Sequence, residues 1–172
     1  KNSQSLIIRE AEKRDAGRMI KYMRQVLAES DFLTRSPDEF NYTVKEEAAV
    51  IESHRNAPNE IFMIGLIDEK IASALVFSCP EKKRQQHTGE FGITVKKEFW
   101  NLGIATEMMS AFVEWAKQTG VVRKINLKVY TNNEKAIRLY RKFNFRIEGT
   151  ITRDNMIDGV FFDSHIMGLA ID

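Results

Sequence analysis

The strongest constraint in the chain is a change of period at one place. Phe91, Ile93 and Val95 alternate with Glu90, Gly92 and Thr94, the period-two pattern of a strand with one core face and one more polar face. Shortly afterwards Ile104, Met108, Phe112 and Trp115 recur every three or four residues up to Gly120, the pattern of an amphipathic helix closed by a glycine. Between them, Phe99-Trp100-Asn101-Leu102-Gly103-Ile104-Ala105-Thr106 must reverse the chain and present the free amides of a helix's first turn. Unpaired N–H groups and the positive end of the helix dipole favour an anion there, and small residues at Gly103 and Ala105 let phosphate oxygens approach the backbone. A small-residue helix start also has an ordinary packing explanation, so the turn does not fix a function alone.

Two common phosphate motifs are excluded by what this turn lacks. A nucleoside-triphosphate loop ends in Gly-Lys-Ser/Thr, whereas Ala105-Thr106-Glu107 supplies no lysine. A dinucleotide fold needs three spaced glycines, and here there is one.

The rest of the pattern is of mixed strands and helices. Leu6, Ile7 and Ile8 predict a short strand, and Asp15 is placed to cap a helix carrying Ala16, Met19, Ile20, Met23 and Leu27 on one stripe. The pattern breaks from Asp31 to Tyr42 around Pro37, and a second, weaker helix is predicted from Val44 to about His54. Ile61 to Ile67 and Ile71 to Cys79, joined by Asp68-Glu69-Lys70, read as a hairpin. A strand at Ile125, Leu127 and Val129 and a helix at Ala136, Leu139, Tyr140 and Phe143 come next. Phe145 to Ile151 and Val160 to Met167 flank the turn signal Asp158-Gly159.

The 172 residues suit one compact domain spanning 1–172. A formal net charge of +2 does not predict a nucleic-acid or membrane partner. The single cysteine, Cys79, cannot form an internal disulfide, no apolar run approaches the ~20 residues that cross a bilayer, and no charged-then-apolar leader opens the sequence. A cytoplasmic protein is therefore expected. The basic cluster Lys82-Lys83-Arg84 lacks interleaved aromatics and reads as a solvated loop.

Two ordered stretches make the pattern specific. Val95 through the turn, then Val129-Tyr130-Thr131-Asn132-Asn133-Glu134-Lys135-Ala136-Ile137-Arg138-Leu139-Tyr140-Arg141-Lys142-Phe143-Asn144-Phe145, resemble the paired signatures of the GNAT N-acetyltransferases. That family shows Arg/Gln-x-x-Gly-x-Gly/Ala at the turn and, about thirty residues later, a strand leading into Asn-x-x-Ala-x-x-Leu-Tyr and a Gly-Phe. Ile8-Arg9-Glu10-Ala11 with Asp15-Ala16 matches the family's opening, and Asp163 to Met167 its last strand. This chain departs from the pattern at Trp100 (usually arginine or glutamine), Ala105 (the second glycine) and Asn144 (the glycine before Phe145).

The resemblance implies an α+β fold: a mixed, mostly antiparallel sheet of about seven strands flanked by about four helices, with the cofactor wedged where the fourth and fifth strands diverge. It implies acetyl-CoA as cosubstrate and no metal. The cofactor contacts it implies are Ile93, Thr94 and Val95, the turn residues Trp100, Asn101, Leu102, Gly103, Ile104, Ala105 and Thr106, and Asn133, Ala136 and Tyr140. At Trp100 only the backbone amide can stand in for the usual side chain.

Amide formation from a thioester needs a neutral amine, and an alkyl ammonium has a pKa near ~10, so a base or a water chain must remove a proton. Glu90 is the first candidate, with an ordinary exposed strand glutamate as the alternative reading. His87 is the second candidate base, while His54 and His165 lack motif context. The resemblance makes Tyr140 the acid for the departing thiolate, although an aromatic at this spacing could serve packing alone. Asn133 could simply cap its helix, and Thr131 with Glu134 has capping-box spacing. A backbone N–H between Ile93 and Val95 is the implied oxyanion donor. Cys79 lacks a partnered histidine, which favours direct transfer in a ternary complex.

The implied partner is a small-molecule or peptide amine, and a homodimer is left open. The rivals are a protein N-terminal acetyltransferase and a non-catalytic acyl-CoA sensor. The segment from Asp31 to Pro58, with Asp31, Asp38, Glu39, Glu46 and Glu47, is expected to form the acceptor wall.

Overall fold

Alternation along Ile61–Ile67 (β2), Lys70–Ser78 (β3) and Thr88–Val95 (β4) builds the centre of one sheet. Leu6–Glu10 (β1) edges it on one side, and Lys124–Tyr130 (β5), Arg146–Ile157 (β6) and Val160–Ala170 (β7) extend it on the other. The computed structural model describes residues 5–172; residues 1–4 of the expected 1–172 domain lie outside that description. Strand order is β1-β2-β3-β4-β5-β7-β6, and every pairing is antiparallel except β4 with β5. The helices are Ala16–Glu29 (α1), Val44–Asn56 (α2), Ile104–Gln118 (α3) and Glu134–Lys142 (α4). The expected seven-stranded mixed sheet with four α-helices is what the described residues form.

Each face of the sheet takes one helix pair. Phe77 and Phe91 point to the α3 side, where both rings meet Phe112, at centroid distances of 5.3 and 5.0 Å. Ile64 and Ala74 point the other way and pack with Met19 and Tyr22 of α1 and Ile51 of α2. Because side chains on a strand alternate, Ser78, Glu90, Gly92 and Thr94 belong to this α1/α2 side. Thr94 confirms it directly, since its Oγ1 lies 2.9 Å from Tyr22 Oη.

Local chemistry explains several boundaries. Asp68 and Glu69 both adopt positive φ (47° and 63°), as do Asp158 and Gly159 (49° and 80°), the left-handed pair that a two-residue hairpin turn requires. Thr43 accepts from the Glu46 amide while Glu46 Oε2 accepts from the Thr43 amide, a capping box that starts α2. Asp15 does not cap α1 as expected: its carboxylate accepts from the Glu12 amide and pairs with Arg9 and Arg18. The last hairpin is longer than the alternation suggested, because irregularities between Ile147 and Gly149 and between Ile151 and Asn155 interrupt its period. No helix among the described residues is long and apolar enough to cross a membrane.

Candidate active site

The parallel pairing of β4 with β5 covers only Thr88 to Glu90, against Lys124 to Asn126. Past Glu90 the strands separate, while β4 continues its regular pairing with β3 as far as Val95. The Lys96 amide then bonds the Ala72 carbonyl. Alternation along an antiparallel ladder therefore turns the backbone groups of Phe91, Ile93 and Val95 toward the gap. The β3–β4 register has no shift, so the free edge arises from the divergence of β5 and needs no bulge.

At the far end of the gap the turn lies before α3. Asn101 (φ 65°) and Gly103 (φ 82°) both adopt left-handed conformations, and only glycine does so without steric cost. The amides of Thr106 and Glu107 bond the Gly103 carbonyl. Those of Leu102, Gly103, Ile104 and Ala105 have no partner among the described residues, so four consecutive N–H groups sit at the positive end of a 15-residue helix. A Cβ built on Gly103 would meet nothing within 4 Å, so the chain itself does not crowd the turn at this position. Free amides at a helix N-terminus suit an anion such as a pyrophosphate.

Trp100 holds the turn differently from expectation. Its amide bonds the Lys97 carbonyl, and its indole Nε1 donates to the Val95 carbonyl at 2.7 Å. Neither group is left over for a phosphate. The indole instead gathers positive charge at the mouth, with the Nζ atoms of Lys97 and Lys135 5.9 and 5.8 Å from its ring. Lys135 also donates to Asn101 Oδ1 at 2.6 Å, which ties α4 to the turn.

Asn133 caps α4 by accepting from the Ala136 amide at 3.2 Å, so the capping alternative for Asn133 is realised and the Ala136 amide is occupied. One turn on, Tyr140 is buried, its ring edge-on to Phe91 with centroids 5.8 Å apart. Burial pushes its hydroxyl up to about 12, and the hydroxyl has no partner among the described residues. It keeps its proton at neutral pH and has it free to donate.

Glu90 is exposed and is the last β4 residue paired with β5. Its side chain lies on the α1/α2 side, opposite Tyr140. A carboxylate on one side of β4 and a buried hydroxyl on the other thus bracket the fork from which the free edge begins. Asn126, opposite Glu90 on β5, donates to Thr88 Oγ1 at 2.9 Å and fastens the fork. His87 is exposed in the loop before β4, and its carbonyl accepts from the Arg123 and Lys124 amides. Cys79 lies just past β3 and donates to the Asn59 carbonyl, and burial with the nearby Glu60 pushes its thiol up to about 11.

Several polar and aromatic groups near the gap had no sequence signal. Tyr22 reaches Thr94 from α1. Tyr130, at the end of β5, lies 6.3 Å from the Phe32 ring and 5.7 Å from the Phe162 ring. Phe32 belongs to the expected acceptor segment and is half exposed. Glu47, from the same segment, is buried, which raises its carboxyl against the opposing pull of Arg35. His54, read as lacking context, bonds Val50 and Ser78.

Comparisons with known proteins give the arrangement a setting. The sequence model described as Acetyltransferase (GNAT) family matches residues 21–145. The L-amino acid N-acetyltransferase AaaT of Escherichia coli (strain K12) is 27% identical over 165 residues, covering 94% of this chain and 96% of that protein. The crystal structure of a GNAT-family acetyltransferase from Streptococcus pneumoniae superposes with a TM-score of 0.95 at 32% identity, covering 98% of this chain and 100% of the other. The structure of yncA from Salmonella typhimurium, solved with its cofactor acetyl-CoA, shares the fold at 15% identity and a TM-score of 0.84, over 97% and 94% of the two chains.

Proposed function

The chain belongs to the GNAT family of acetyltransferases, and from that premise we propose that it moves the acetyl group of acetyl-CoA directly onto the primary amine of a small molecule, L-amino acids being the first class to test. The observation that carries this reading is the fork: a free β4 edge with Glu90 at its root, Tyr140 behind it and four unpaired amides at its end. The amino-acid class rests on the Escherichia coli relative, whose likeness runs along nearly the whole chain.

Acetyl-CoA supplies an acyl carbon activated by a good leaving group. The residues of this chain do the rest. The amides of Leu102 to Ala105 hold the pyrophosphate, and the free edge at Phe91, Ile93 and Val95 aligns the pantetheine arm and offers an N–H to the acetyl oxygen. Glu90, facing the acceptor side, takes a proton from the incoming ammonium. Tyr140 donates a hydrogen bond to the departing sulfur. A thiolate near ~8.5 is a weaker base than a phenolate near 12, so this hydroxyl stabilises the sulfur chiefly as a donor. Phe32 and Tyr130 line the acceptor's approach.

Free-thiol release from acetyl-CoA across L-amino acids, polyamines, aminoglycosides and peptides tests the reading. Release with amino acids alone supports it. Release with peptides only would transfer the role to protein N-termini, and acetyl-CoA binding without release for any amine would make the chain a sensor.

A further inference from the structure

A primary ammonium must lose two protons to become an amide nitrogen, and a single carboxylate at Glu90 holds only one. A second acceptor should lie beside it on the same side of the sheet. Ser78 is the direct cross-strand neighbour of Glu90, and such pairs place their Cβ atoms about 5 Å apart. Ser78 is exposed, and its Oγ lies 2.9 Å from Nε2 of the buried His54. On the other side of that ring, Nδ1 lies 2.8 Å from the Val50 carbonyl. A carbonyl can only accept, so Nδ1 carries a proton, and in the neutral ring Nε2 is the nitrogen that accepts from the Ser78 hydroxyl. An edge contact with Phe62, centroids 6.0 Å apart, holds the ring from below. Hydroxyl, ring nitrogen and orienting carbonyl form a chain that ends next to Glu90.

We propose that Ser78 and His54 are the exit for the acceptor nitrogen's second proton. The inference rests on the amine-acetylating reading of the site. Glu90 takes the first proton and leaves a neutral amine. As the nitrogen lone pair bonds the acetyl carbon, the carbon–sulfur bond breaks and its electron pair leaves on sulfur. The nitrogen, now cationic and acidic, gives a proton to Ser78 Oγ while Ser78 passes its own proton to His54 Nε2. The resulting imidazolium keeps both N–H groups matched, to Val50 and to Ser78, and later returns the proton to solvent through the exposed Ser78. Ser78 is the group that touches the acceptor, and His54 acts through it.

The ionisable groups around His54 are few. Glu47 shares the buried face of α2, two turns earlier. Glu90 stands across from Ser78. Glu60 accepts from the Cys79 amide at 2.8 Å, one residue beyond Ser78, beside the thiol of Cys79. Arg55 turns away toward the Ala11 carbonyl and Glu12.

The test is the pH profile of kcat/KM for the best acceptor in the wild-type enzyme, His54→Gln, Ser78→Ala and Ser78→Thr, with acetyl-CoA affinity and Tm measured alongside. His54→Gln and Ser78→Ala should each lower kcat at least tenfold, leave acetyl-CoA affinity within twofold, and change the acid limb of the profile in the same way. Ser78→Thr, which keeps the hydroxyl, should recover most of the rate and the wild-type limb. A His54→Gln enzyme with the wild-type profile overturns the relay while leaving the acetyltransferase reading intact, as does a rate loss that only tracks a fall in Tm. Acetylated Ser78 in acid-quenched enzyme would replace the relay with a covalent route. A wild-type enzyme that binds acetyl-CoA but acetylates no amine removes the acceptor reading, and the relay with it.

Discussion

The Trp100 indole Nε1 donates a 2.7 Å hydrogen bond to the carbonyl of Val95, closing the free edge of β4 at the end nearest the turn before α3. The tryptophan that departs from the family pattern thus braces the turn against the strand. Trp100→Phe keeps an aromatic ring at this position but removes the donor. It should cost about 1 kcal/mol of stability and weaken acetyl-CoA binding only a few-fold, measured by thermal melting and calorimetry. A loss beyond tenfold in affinity, without a matching fall in Tm, would mean that the indole touches the cofactor.

Gly103 and Gly120 separate strain from ligand contact. Both adopt positive φ, 82° and 67°, and a Cβ on either would meet nothing within 4 Å. Alanine at either position should cost about 1 to 2 kcal/mol for the left-handed conformation, a few degrees in Tm. Gly103→Ala alone should weaken acetyl-CoA binding at least tenfold, because its methyl enters the space above the free amides. Equal affinities for the two variants would remove the phosphate from this turn.

Periodicity located β4 and α3 because Phe91 and Phe112 recur with the core, and side-chain burial is what period reports. It was silent about the site's polar wiring. The Tyr22–Thr94 bond joins residues 72 apart, and His54 meets a serine 24 residues away, contacts that no local pattern encodes. Trp100 was legible as a departure, but its engagement with Lys97 and Val95 depends on how the turn folds back. Glu90 was readable as facing away from the core; that it closes the β4–β5 pairing depends on where β5 diverges.

Asp15 sets a pH limit on the fold. The residue is fully buried, and burial alone would raise its carboxyl, yet hydrogen bonds from Arg9, the Glu12 amide and Arg18 hold it well below the usual carboxylate range. A group depressed in this way contributes stability above its unfolded pKa near ~4 and loses it as pH falls toward the folded value. Wild-type stability should therefore fall between about pH 4 and 2. Asp15→Asn should flatten that limb and cost about 3 kcal/mol at neutral pH by leaving two arginines without their carboxylate, as denaturant melts across pH would show.

Tyr140→Phe distinguishes a packing tyrosine from a working one. The hydroxyl bonds nothing among the described residues, so removing it should leave stability at pH 7 nearly unchanged, while the ring keeps its contacts with Phe91 and Phe145. Turnover should fall tenfold or more with acetyl-CoA affinity within twofold, because the lost donor matters only as charge develops on sulfur. Alkaline stability gives an independent reading. The folded phenol titrates near 12 and the unfolded one near ~10, so the unfolded chain sheds its proton first and wild-type stability declines between those values. Tyr140→Phe should make that decline shallower. Unchanged turnover at a chemistry-limited rate, together with the shallower alkaline decline, would confine Tyr140 to the core.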